Sequence, residues 1–470
     1  MEKVIVIGGG ISGLACAYRL GQLGIDCLVL ESTGRPGGLI GTIRRDGCLF
    51  ETGPQCPRFP ASVWGLVCEL GLEGEFVAGE ARAKRYILRR GRLYNAPFSP
   101  MGLITTGLLG LASKLRVLAE PFAWSQPPLK EETLADFVQR KFGQEVLDNL
   151  VDPIVSTVFF GDSRKMGMQS AFPLLVEWER NSGSVARGAI RARNHRPSKG
   201  RSLLVTDALP ALGSFTSGMA RLSERLAQEL KRGIHYGAEV SRVAPAKNGQ
   251  IVTWQVGLSS GQQLLASHVI LAVPAYVAAR LLYDSTPALA SQLEAIEYAP
   301  MCSVSSVYRR SAVAHPLDGF GFMVPRSERM QTICTFWNSS LFRQRAPEDM
   351  ALMTTFARVT PGSSAEDHVA QAVEDENAKI LKINGRSLDR QVWQDRLALP
   401  QYNVGHVQRV RKIAEMLPSI QNLHVTGNFL RGRSIGDCVD QAFVVAAEVD
   451  QQLRDSQCEP SRSNFEGWSS

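Results

Sequence analysis

The sequence predicts an α/β fold, and three observations lead to that prediction. A glycine-rich turn separates the first β-branched run from an amphipathic helix. The next strand-like run ends in an acidic residue. The same order of strand, glycine turn and helix occurs again about 400 residues later, near the end of the chain. These elements together predict a parallel sheet flanked by helices and formed from distant segments of one chain.

The composition is that of a globular chain with room for two or three domains. The chain has 470 residues, of which 44% are hydrophobic, and a formal net charge of +7. Over this length, that charge is too small for a dedicated nucleic-acid-binding protein. Nine cysteines, an odd number without a CxxC pair, predict a reducing compartment. The sequence shows neither a secretory signal nor an apolar run of roughly 18 residues, so we expect a cytoplasmic location.

The start of the chain is typical of a strand, a turn, a helix and a second strand. The run Val4–Ile7 is β-branched, as in a parallel strand covered on both faces. Gly8, Gly10 and Gly13 then give the spacing G-x-G-x-x-G at the start of the helix. This spacing lets a pyrophosphate approach the backbone and the free N–H groups of the helix N-terminus. Glu31 closes the second strand, where its carboxylate can bind ribose hydroxyls and disfavours a 2′-phosphate. We therefore predict a Rossmann-like dinucleotide-binding domain.

The stretch after the second strand distinguishes a flavin dinucleotide from a nicotinamide dinucleotide. In ESTGRPGGLIGTIRRDGCLFETGPQ, Gly37 and Gly38 follow an arginine, and CLFETGP is a strand that ends at Gly53. This stretch resembles the flavin signature of the amine-oxidase-like flavoprotein superfamily. The resemblance implies that the paired glycines pass close to FAD. It also implies that Arg35 lies near the phosphates and residues 53–56 near the isoalloxazine.

A second part of the same site is expected near the end of the chain. QNLHVTGNFLRGRSIGDCVDQAF places a short strand, 423–426, before Gly427 and a helix that starts near Asp437. A helix N-terminus here can stabilise negative charge on a reduced flavin. The superfamily closes its FAD domain with this segment, and by the same resemblance the residue matching Val240 holds the adenine through its backbone.

The predicted FAD site combines all of these stretches. Its residues are Gly8, Gly9, Gly10, Ile11, Ser12, Gly13, Glu31, Ser32, Arg35, Gly37, Gly38, Leu39, Gly53, Pro54, Gln55, Cys56, Val240, Gly427, Asn428, Arg433, Ser434 and Ile435. We predict a discontinuous FAD-binding domain with two inserted domains, a mixed-sheet substrate domain and a helical domain that is a candidate for membrane contact. The predicted boundaries are 1–80 with 203–285 and 401–455 for the FAD-binding domain, 81–95 with 286–400 for the substrate domain, 96–202 for the helical domain, and 456–470 for a disordered tail.

Several stretches outside the FAD site resemble the protoporphyrinogen oxidase family. They are TLADFVQRKFGQEVLDNLVDPIVSTVFFGDSRKMGMQSAFPLLVEWE at 133–179, DGFGFMVP at 318–325, FWNSSLFRQRAP at 336–347, PQYNVGH at 400–406, and GNFLRG and GDC within 427–438. The resemblance covers about residues 1–450. It implies the six-electron oxidation of a porphyrinogen to a porphyrin in three rounds. FAD accepts hydride equivalents and O2 reoxidises the flavin in that scheme.

Such a reaction needs an apolar slot and a counter-charge. We predict no metal site and no catalytic protein residue, because the flavin carries the chemistry. The resemblance places Arg85 where the family pairs an arginine with a propionate, which a guanidinium can bind bidentately. Thr157 matches a position whose carbonyl accepts from pyrrole N–H groups. Tyr308 and Thr355 are two further predicted residues of the slot.

Three residues depart from the family pattern and leave the substrate open. Gln55 stands where some relatives carry arginine, and Arg431 and Arg433 make the C-terminal loop more basic than is common. This charge either is solvated or favours a more carboxylated substrate, so coproporphyrinogen III is a second candidate substrate. The same scaffold is also compatible with two different functions. One is that of an amine oxidase or carotenoid desaturase, and the other is that of a flavin-free lipid-carrier protein.

A basic stretch, ARAKRYILRRGRLYNAP at 81–97, concentrates six arginine and lysine side chains. Period-two alternation about Arg90 and Gly91 predicts a β-hairpin with most of these charges in solvent. A second basic stretch at 187–202 predicts a solvated loop. The apolar MGLITTGLLGLA at 101–112 predicts a buried helix or loop. Both of these last stretches are also candidates for contact with lipid.

The expected partners follow from this interpretation. They are a porphyrinogen and O2, without nucleic acid. Peripheral attachment to the cytoplasmic membrane and a homodimer are two further expectations.

Overall fold

The computed structural model describes residues 2–80, 83–97, 99–194, 212–246, 253–359 and 366–458. The predicted tail beyond residue 458, and the second basic stretch from residue 195 onward, lie outside these ranges. The strands of the described residues are β1 (Glu2–Ile7), β2 (Cys27–Glu31), β3 (Thr42–Arg45), β4 (Cys48–Glu51), β5 (Phe76–Ala78), β6 (Lys84–Arg89), β7 (Arg92–Asn95), β8 (Gly213–Phe215), β9 (Ile234–Tyr236), β10 (Val240–Ala246), β11 (Thr253–Leu258), β12 (Gln263–Leu271), β13 (Tyr298–Arg309), β14 (Gly319–Met323), β15 (Thr332–Phe336), β16 (Met350–Ala357), β17 (Asp389–Pro400) and β18 (Leu423–Val425).

The helices of the same residues are α1 (Ile11–Gln22), α2 (Ala61–Glu69), α3 (Pro100–Thr105), α4 (Leu111–Ala119), α5 (Leu134–Lys141), α6 (Gln144–Val146), α7 (Asp152–Phe159), α8 (Met168–Ala171), α9 (Pro173–Ser182), α10 (Val185–Asn194), α11 (Ala220–Gln228), α12 (Ala275–Leu282), α13 (Pro287–Glu294), α14 (Asn338–Leu341), α15 (Glu366–Leu381), α16 (His406–Met416) and α17 (Ile435–Cys458).

The first sheet has seven strands in the order β10-β11-β12-β1-β2-β9, with β18 beside β12. The central strands β18, β12, β1, β2 and β9 run parallel. On β1, Val4 and Val6 pack with α1, α2, α11 and α17, whereas Ile5 and Ile7 pack with α12, α13 and α16. Both faces of the strand are therefore covered by helices, as the β-branched run predicts.

The strands of this sheet come from the start, the middle and the end of the chain. The predicted α/β fold class, with a discontinuous Rossmann-like sheet, is thereby confirmed. The residue boundaries of the three domains stay a prediction.

The second sheet has the order β17-β13-β16-β15-β14-β6-β7 and is antiparallel except for the parallel pair β6 and β14. Its two faces differ in what covers them. Tyr308 and Met353 lie on the face that packs against α15, which we call the α15 face. Ile87, Met301 and Phe356 lie on the opposite face, against α5 and α7, which we call the inner face.

The predicted hairpin in the basic stretch is confirmed as β6 and β7. Arg90 and Gly91 have φ of +49° and +72°, the positive values that a two-residue type I′ turn requires. Arg89, however, is not in solvent. Its guanidinium donates to the Leu108 carbonyl and to Glu145, at 3.2 Å in the second case, and so ties the hairpin to the helical region.

Helices α3 to α10 form the region between residues 99 and 194. Within it, Lys141 is buried between Glu120 and Glu179, 3.2 Å from each carboxylate. The prediction of a solvated loop from residue 187 is wrong for the part that the structure describes, because α10 continues to Asn194. Over the described ranges, no helix has both the length and the apolarity that crossing a bilayer requires.

Candidate functional site

The glycine-rich loop lies between β1 and α1 and leaves the helix N-terminus accessible. Gly8 has φ of +108°, which glycine adopts without strain. A Cβ at Gly13 would overlap the Gly8 carbonyl oxygen, so the helix and the strand are in closest contact there. A Cβ at Gly10 would meet no atom within 4 Å. The backbone at Gly10 therefore faces open space at the end of α1 where Ile11 and Ser12 carry the first N–H groups, which helices leave free for an anion.

Glu31 is held beside this loop at the end of β2. Its Oε2 accepts a hydrogen bond from the N–H of Gly9 at 2.7 Å. Ser32, the next residue, is exposed. The N–H of Ala238 donates to the Glu31 carbonyl at 2.9 Å, and Val240 begins β10 two residues further on. The structure thus brings the acid, the glycine-rich loop and the start of β10 together.

The paired glycines close over the same loop. The N–H of Gly37 donates to the carbonyl of Gly9 at 2.8 Å, and Gly37 and Gly38 have φ of +107° and +58°. Arg35 donates from Nη2 to the Gly38 carbonyl at 2.8 Å and from Nη1 to the Ile40 carbonyl at 2.9 Å. Arg35 therefore stabilises the turn that places the paired glycines against the glycine-rich loop.

Gly53, Pro54 and Gln55 follow β4 and connect the two sheets. A Cβ at Gly53 would overlap the carbonyl oxygen of Leu39, so this segment packs directly on the paired-glycine turn. The buried Gln55 side chain donates to the Gly53 carbonyl at 2.9 Å and accepts from Nδ2 of Asn338 at 2.7 Å. Because Asn338 lies on α14, residues 53–55 are held from the side of the second sheet.

A buried ion pair next to this segment was not found from the sequence. Glu51 and Arg345 lie 2.8 Å apart, with side chains 1% and 2% exposed. Glu51 also accepts from the Thr42 hydroxyl at 2.6 Å and from the N–H of Met219 at 2.9 Å. Burial raises the pKa of Glu51 and lowers that of Arg345, and each charge opposes the shift of the other. The only sequence signal was an acid in CLFETGP and an arginine in FRQRAP, far apart in the chain.

The C-terminal loop, residues 427–435, leaves the first sheet at the same edge. The N–H of Thr426 donates to the Leu271 carbonyl at 2.9 Å, which fixes the end of β18 beside the end of β12. The hydroxyl of Tyr402 donates to the Asn428 carbonyl at 2.6 Å. Parallel strands bring their carboxyl ends to one edge, so this loop lies near the glycine-rich loop.

The loop ends at the N-terminus of α17, which begins at Ile435. The Ser434 hydroxyl accepts from the N–H of Asp437 at 3.1 Å, and the Asp437 carboxylate accepts from the N–H of Ser434 at 3.0 Å, so the two residues cap each other. Burial raises the pKa of the Cys438 thiol to about 11, and a hydrogen bond with the Ser12 hydroxyl opposes the rise. Through that contact, the first turns of α17 and α1 adjoin.

The polar groups along these loops fit FAD. Three buried oxygens find no hydrogen-bond partner among the residues that the structure describes: the Ser223 hydroxyl beside Gly37, and Oγ1 of Thr426 and Oε1 of Gln441 at the C-terminal loop. Unpaired buried polar atoms are costly unless a ligand satisfies them. Two adjoining helix N-termini and the open backbone at Gly10 suit a diphosphate and the polar edge of a flavin ring.

Arg85 lies on the inner face, beside the segment at 53–56. Alternation along β6 puts Arg85 and Ile87 on that face and Lys84 and Tyr86 on the other. Burial raises the pKa of the Cys56 thiol to about 12, and the nearby Arg85 charge opposes the rise. Arg85 also lines a cleft of about 600 Å³ between the hairpin and α3.

A row of aromatic rings leads away from Arg85. Its guanidinium carbon lies 4.8 Å from the ring centroid of Phe320. Between ring centroids, Phe320 is 5.5 Å from Phe336, Phe336 is 5.8 Å from Phe356, and Phe356 is 4.9 Å from Phe160. We call these four rings the aromatic wall. It provides an apolar surface with a cation at one end.

Thr157 lies on α7, beside the aromatic wall. Val155, on the same helix, belongs to the apolar cluster that contains Ile87 and Phe356. Burial raises the pKa of the Cys334 thiol on β15 to about 12, and the Thr157 hydroxyl opposes the rise. Thr157 and Arg85 therefore both border the region between α7 and the inner face, which we call the compartment.

Tyr308 and Thr355 lie on the other face of the second sheet from this compartment, and their role in the slot stays a prediction. Both are on the α15 face. Tyr308 is 2% exposed and packs with Met353. Oγ1 of Thr355 accepts from Nδ2 of Asn377 on α15 at 2.7 Å. Side chains alternate along a strand, so Thr355 points away from the side that its neighbour Phe356 occupies.

Arg433 extends from the C-terminal loop to α7. Its guanidinium donates to the Val158 carbonyl and its central carbon lies 4.0 Å from the ring centroid of Phe159. Burial lowers the pKa of Arg433 to about 10. The structure therefore places this residue between the predicted flavin loop and the helix that carries Thr157.

Comparison with known proteins adds a family. The model of the protein family described as "Flavin containing amine oxidoreductase" matches residues 11–450. A chloroplastic protoporphyrinogen oxidase of Oryza sativa is 30% identical, over 96% of this chain and 88% of its own length. Protoporphyrinogen oxidase 1 of Spinacia oleracea is 31% identical, over 95% and 83%. A coproporphyrinogen III oxidase of Bacillus subtilis is 27% identical, over 95% and 98%.

Solved structures agree on the fold. An Exiguobacterium protein that carries the provisional name protoporphyrinogen oxidase has a TM-score of 0.80 at 23% identity, covering 96% of this chain and 99% of its own. A UDP-galactopyranose mutase has a TM-score of 0.71 at 16% identity, covering 98% and 97%. Since the family match spans nearly the whole sequence, this chain is an FAD-dependent oxidoreductase that belongs to the flavin-containing amine oxidoreductases and, within them, to the protoporphyrinogen oxidase family.

Proposed function

We propose that this chain catalyses the oxygen-dependent oxidation of protoporphyrinogen IX to protoporphyrin IX in porphyrin biosynthesis. The observation that supports this proposal most is the position of Arg85, between the aromatic wall and residues 53–56. A flat apolar macrocycle with propionates needs an apolar surface and a cation next to the flavin. The names of the plant relatives that are 30% and 31% identical agree with this substrate.

We assign FAD to the loops at the edge of the first sheet. The proposed contacts are Gly8, Gly9, Gly10, Ile11, Ser12, Gly13, Glu31, Ser32, Arg35, Gly37, Gly38, Leu39, Gly53, Pro54, Gln55, Cys56, Val240, Gly427, Asn428, Arg433, Ser434 and Ile435. The glycine-rich loop and the N-terminus of α1 would hold the diphosphate, Glu31 a ribose, and the backbone at Val240 the adenine. Residues 53–56 and the C-terminal loop would border the isoalloxazine, which accepts hydride equivalents when FAD is bound.

The reaction balances with O2 as the only further reactant. A porphyrinogen loses six electrons and six protons when it becomes a porphyrin. Because bound FAD would supply a two-electron oxidation, three rounds would be needed. Three molecules of O2 take up these electrons and protons and leave as three molecules of hydrogen peroxide.

The residues of the compartment would bind and orient the macrocycle. Arg85 would bind a propionate through parallel charge-assisted hydrogen bonds. The aromatic wall would cover one face of the ring system and exclude water. Thr157 lies in the last turn of α7, where carbonyls lack an intrahelical donor, and its carbonyl would accept from pyrrole N–H groups. These contacts select which meso carbon faces the flavin.

Coproporphyrinogen III is a second candidate substrate. It carries four propionates, whereas protoporphyrinogen IX carries two. The observation that favours it is the second guanidinium, Arg433, at the other side of the compartment. The name of the Bacillus subtilis relative agrees with this candidate.

We also propose that the protein acts at the cytoplasmic surface of a membrane. The helical region exposes an unusual number of large apolar side chains, and exposed apolar patches mark interaction surfaces. These side chains are Met101, Ile104, Leu111, Leu115, Leu118, Phe122, Trp124 and Leu129. Flotation with phosphatidylglycerol vesicles should recover the wild-type protein, and Leu111→Ser/Phe122→Ser should recover less. Equal recovery of both proteins would contradict the contact.

The function is tested by following porphyrin fluorescence in air with each porphyrinogen. The purified protein should be yellow and should form protoporphyrin IX from protoporphyrinogen IX with hydrogen peroxide as co-product. An amine that bleaches the flavin anaerobically, with no reaction of either porphyrinogen, would favour an amine oxidase. A colourless protein that cannot be reconstituted with FAD would favour a lipid carrier.

A further inference from the structure

The guanidinium of Arg433 has one buried nitrogen without a partner. Nη2 donates to the Val158 carbonyl, while Nη1 is buried and makes no hydrogen bond within the described residues. The Asp437 carboxylate is already engaged, since it accepts from the N–H and the hydroxyl of Ser434. A buried cationic donor without an acceptor is costly, so the arrangement favours an anionic ligand at Nη1.

Arg433 and Arg85 lie at opposite ends of the aromatic wall. At one end, Arg85 stacks over Phe320. At the other end, Phe160 closes the wall, and the preceding residue, Phe159, packs under Arg433. A flat ligand that lies along the wall would therefore have a guanidinium near each end.

We infer that the guanidinium of Arg433 binds a second carboxylate of the substrate, at the end of the aromatic wall opposite Arg85, while the FAD contact proposed for this residue is made by its backbone. This inference rests on the proposed function. In protoporphyrinogen IX the two propionates are on neighbouring pyrroles, so a molecule bound to Arg85 presents alkyl and vinyl groups to Arg433. Coproporphyrinogen III carries a propionate on every pyrrole and can place a carboxylate near each of the two guanidinium groups. Arg433 thus extends the substrates of the proposed site from protoporphyrinogen IX to porphyrinogens with carboxylates on opposite sides.

The test compares Arg433→Gln and Arg433→Lys with the wild type. Arg433→Gln removes the charge, whereas Arg433→Lys keeps a positive charge without the planar fork. Arg431→Gln is the matched control, because Arg431 is exposed and two residues away. Three quantities are measured for each protein: KM and kcat for both porphyrinogens, Kd for coproporphyrin III and protoporphyrin IX by fluorescence titration, and bound FAD.

For Arg433→Gln, KM for coproporphyrinogen III and Kd for coproporphyrin III should rise roughly 10- to 100-fold, the loss expected for one charge-assisted contact. KM for protoporphyrinogen IX and Kd for protoporphyrin IX should change less than about threefold, and the content of bound FAD should not change. Arg433→Lys should fall between the wild type and Arg433→Gln, and Arg431→Gln should match the wild type within about twofold, as expected of an exposed charge.

Three outcomes would overturn the inference. Equal effects of Arg433→Gln on both porphyrins, or none, would show that Arg433 does not distinguish carboxylates. Loss of FAD in both Arg433 variants would show that the residue serves the cofactor. If the wild type oxidises neither porphyrinogen, the proposed function fails and the inference fails with it, whereas oxidation of protoporphyrinogen with an unaffected Arg433→Gln refutes the inference alone.

Discussion

The two sheets of this protein build their binding surfaces from different parts of the chain. At the edge of the first sheet the surface consists of backbone, exposed at glycines such as Gly10 and Gly38. On the inner face of the second sheet it consists of side chains from separate strands, with Arg85, Phe320 and Phe356 as examples. The first surface offers N–H groups to phosphates, and the second offers shape and charge to a carbon skeleton.

The difference suggests how one scaffold can keep its cofactor and exchange its substrate. A surface made of backbone tolerates almost no added atoms, whereas one made of side chains changes its ligand when a few residues change. Solved structures of a UDP-galactopyranose mutase and a putrescine oxidase share the fold at TM-scores of 0.71 and 0.68.

The first prediction breaks the backbone surface with one methyl group. Gly13→Ala places a Cβ on the Gly8 carbonyl oxygen, so α1 must shift away from β1. We expect almost complete loss of bound FAD and a lower thermal unfolding temperature. Gly21→Ala is the control in the same helix, because a Cβ there meets nothing within 4 Å. It should keep FAD and gain about 0.5–1 kcal/mol of stability. Normal FAD content in Gly13→Ala would contradict this account of the loop.

The second prediction concerns the buried ion pair beside residues 53–55, the segment that connects the two sheets. Glu51→Gln removes one partner of the buried pair with Arg345, and an unpaired buried charge costs on the order of 3–5 kcal/mol. The loss in unfolding free energy is measured with urea. Glu51→Gln/Arg345→Met removes both charges and should lose less than Glu51→Gln alone. A double variant that is less stable than the single variant would show that the pair does more than neutralise itself.

A third substitution, at Arg85, removes the cation from the side-chain surface of the second sheet. Arg85→Ala should weaken substrate binding by about 1.5–3 kcal/mol, or roughly 10- to 100-fold in KM, with an unchanged flavin spectrum. Lys84→Ala is the control on the same strand, since Lys84 faces the other side and binds Asp318 at 2.7 Å. Its KM should stay within about twofold of the wild type. An unaltered KM in Arg85→Ala would remove this residue from the substrate site.

The smallest effect is expected for a substitution of Tyr308, on the α15 face of the second sheet. Comparing it with a substitution on the inner face tests which face binds the substrate. Tyr308→Phe should leave KM unchanged within about twofold, because the hydroxyl is buried on the α15 face and distant sites act independently. Phe356→Leu, on the inner face, should raise KM. Steady-state kinetics with protoporphyrinogen IX measure both. A large KM effect at Tyr308 would return that residue to the slot.

The backbone surface of the first sheet could be predicted from the sequence better than the side-chain surface of the second sheet. The glycine spacing of the FAD loops and the Arg90-Gly91 turn could be predicted, because a backbone conformation requires glycine at fixed local positions. The ion pair between Glu51 and Arg345 could not, since its partners are roughly 300 residues apart and belong to no motif. The face on which Tyr308 and Thr355 lie could not be predicted either, because it depends on what packs against the sheet.

The proposed function requires that a porphyrinogen bound in the compartment beside residues 53–56 transfers electrons to FAD. Anaerobic mixing of the purified protein with protoporphyrinogen IX, while the flavin absorbance is recorded, tests it most directly. We predict that the absorbance is lost at a rate fast enough to account for turnover. Readmission of O2 should restore it as porphyrin accumulates. A flavin that stays oxidised with both protoporphyrinogen IX and coproporphyrinogen III would contradict the claim.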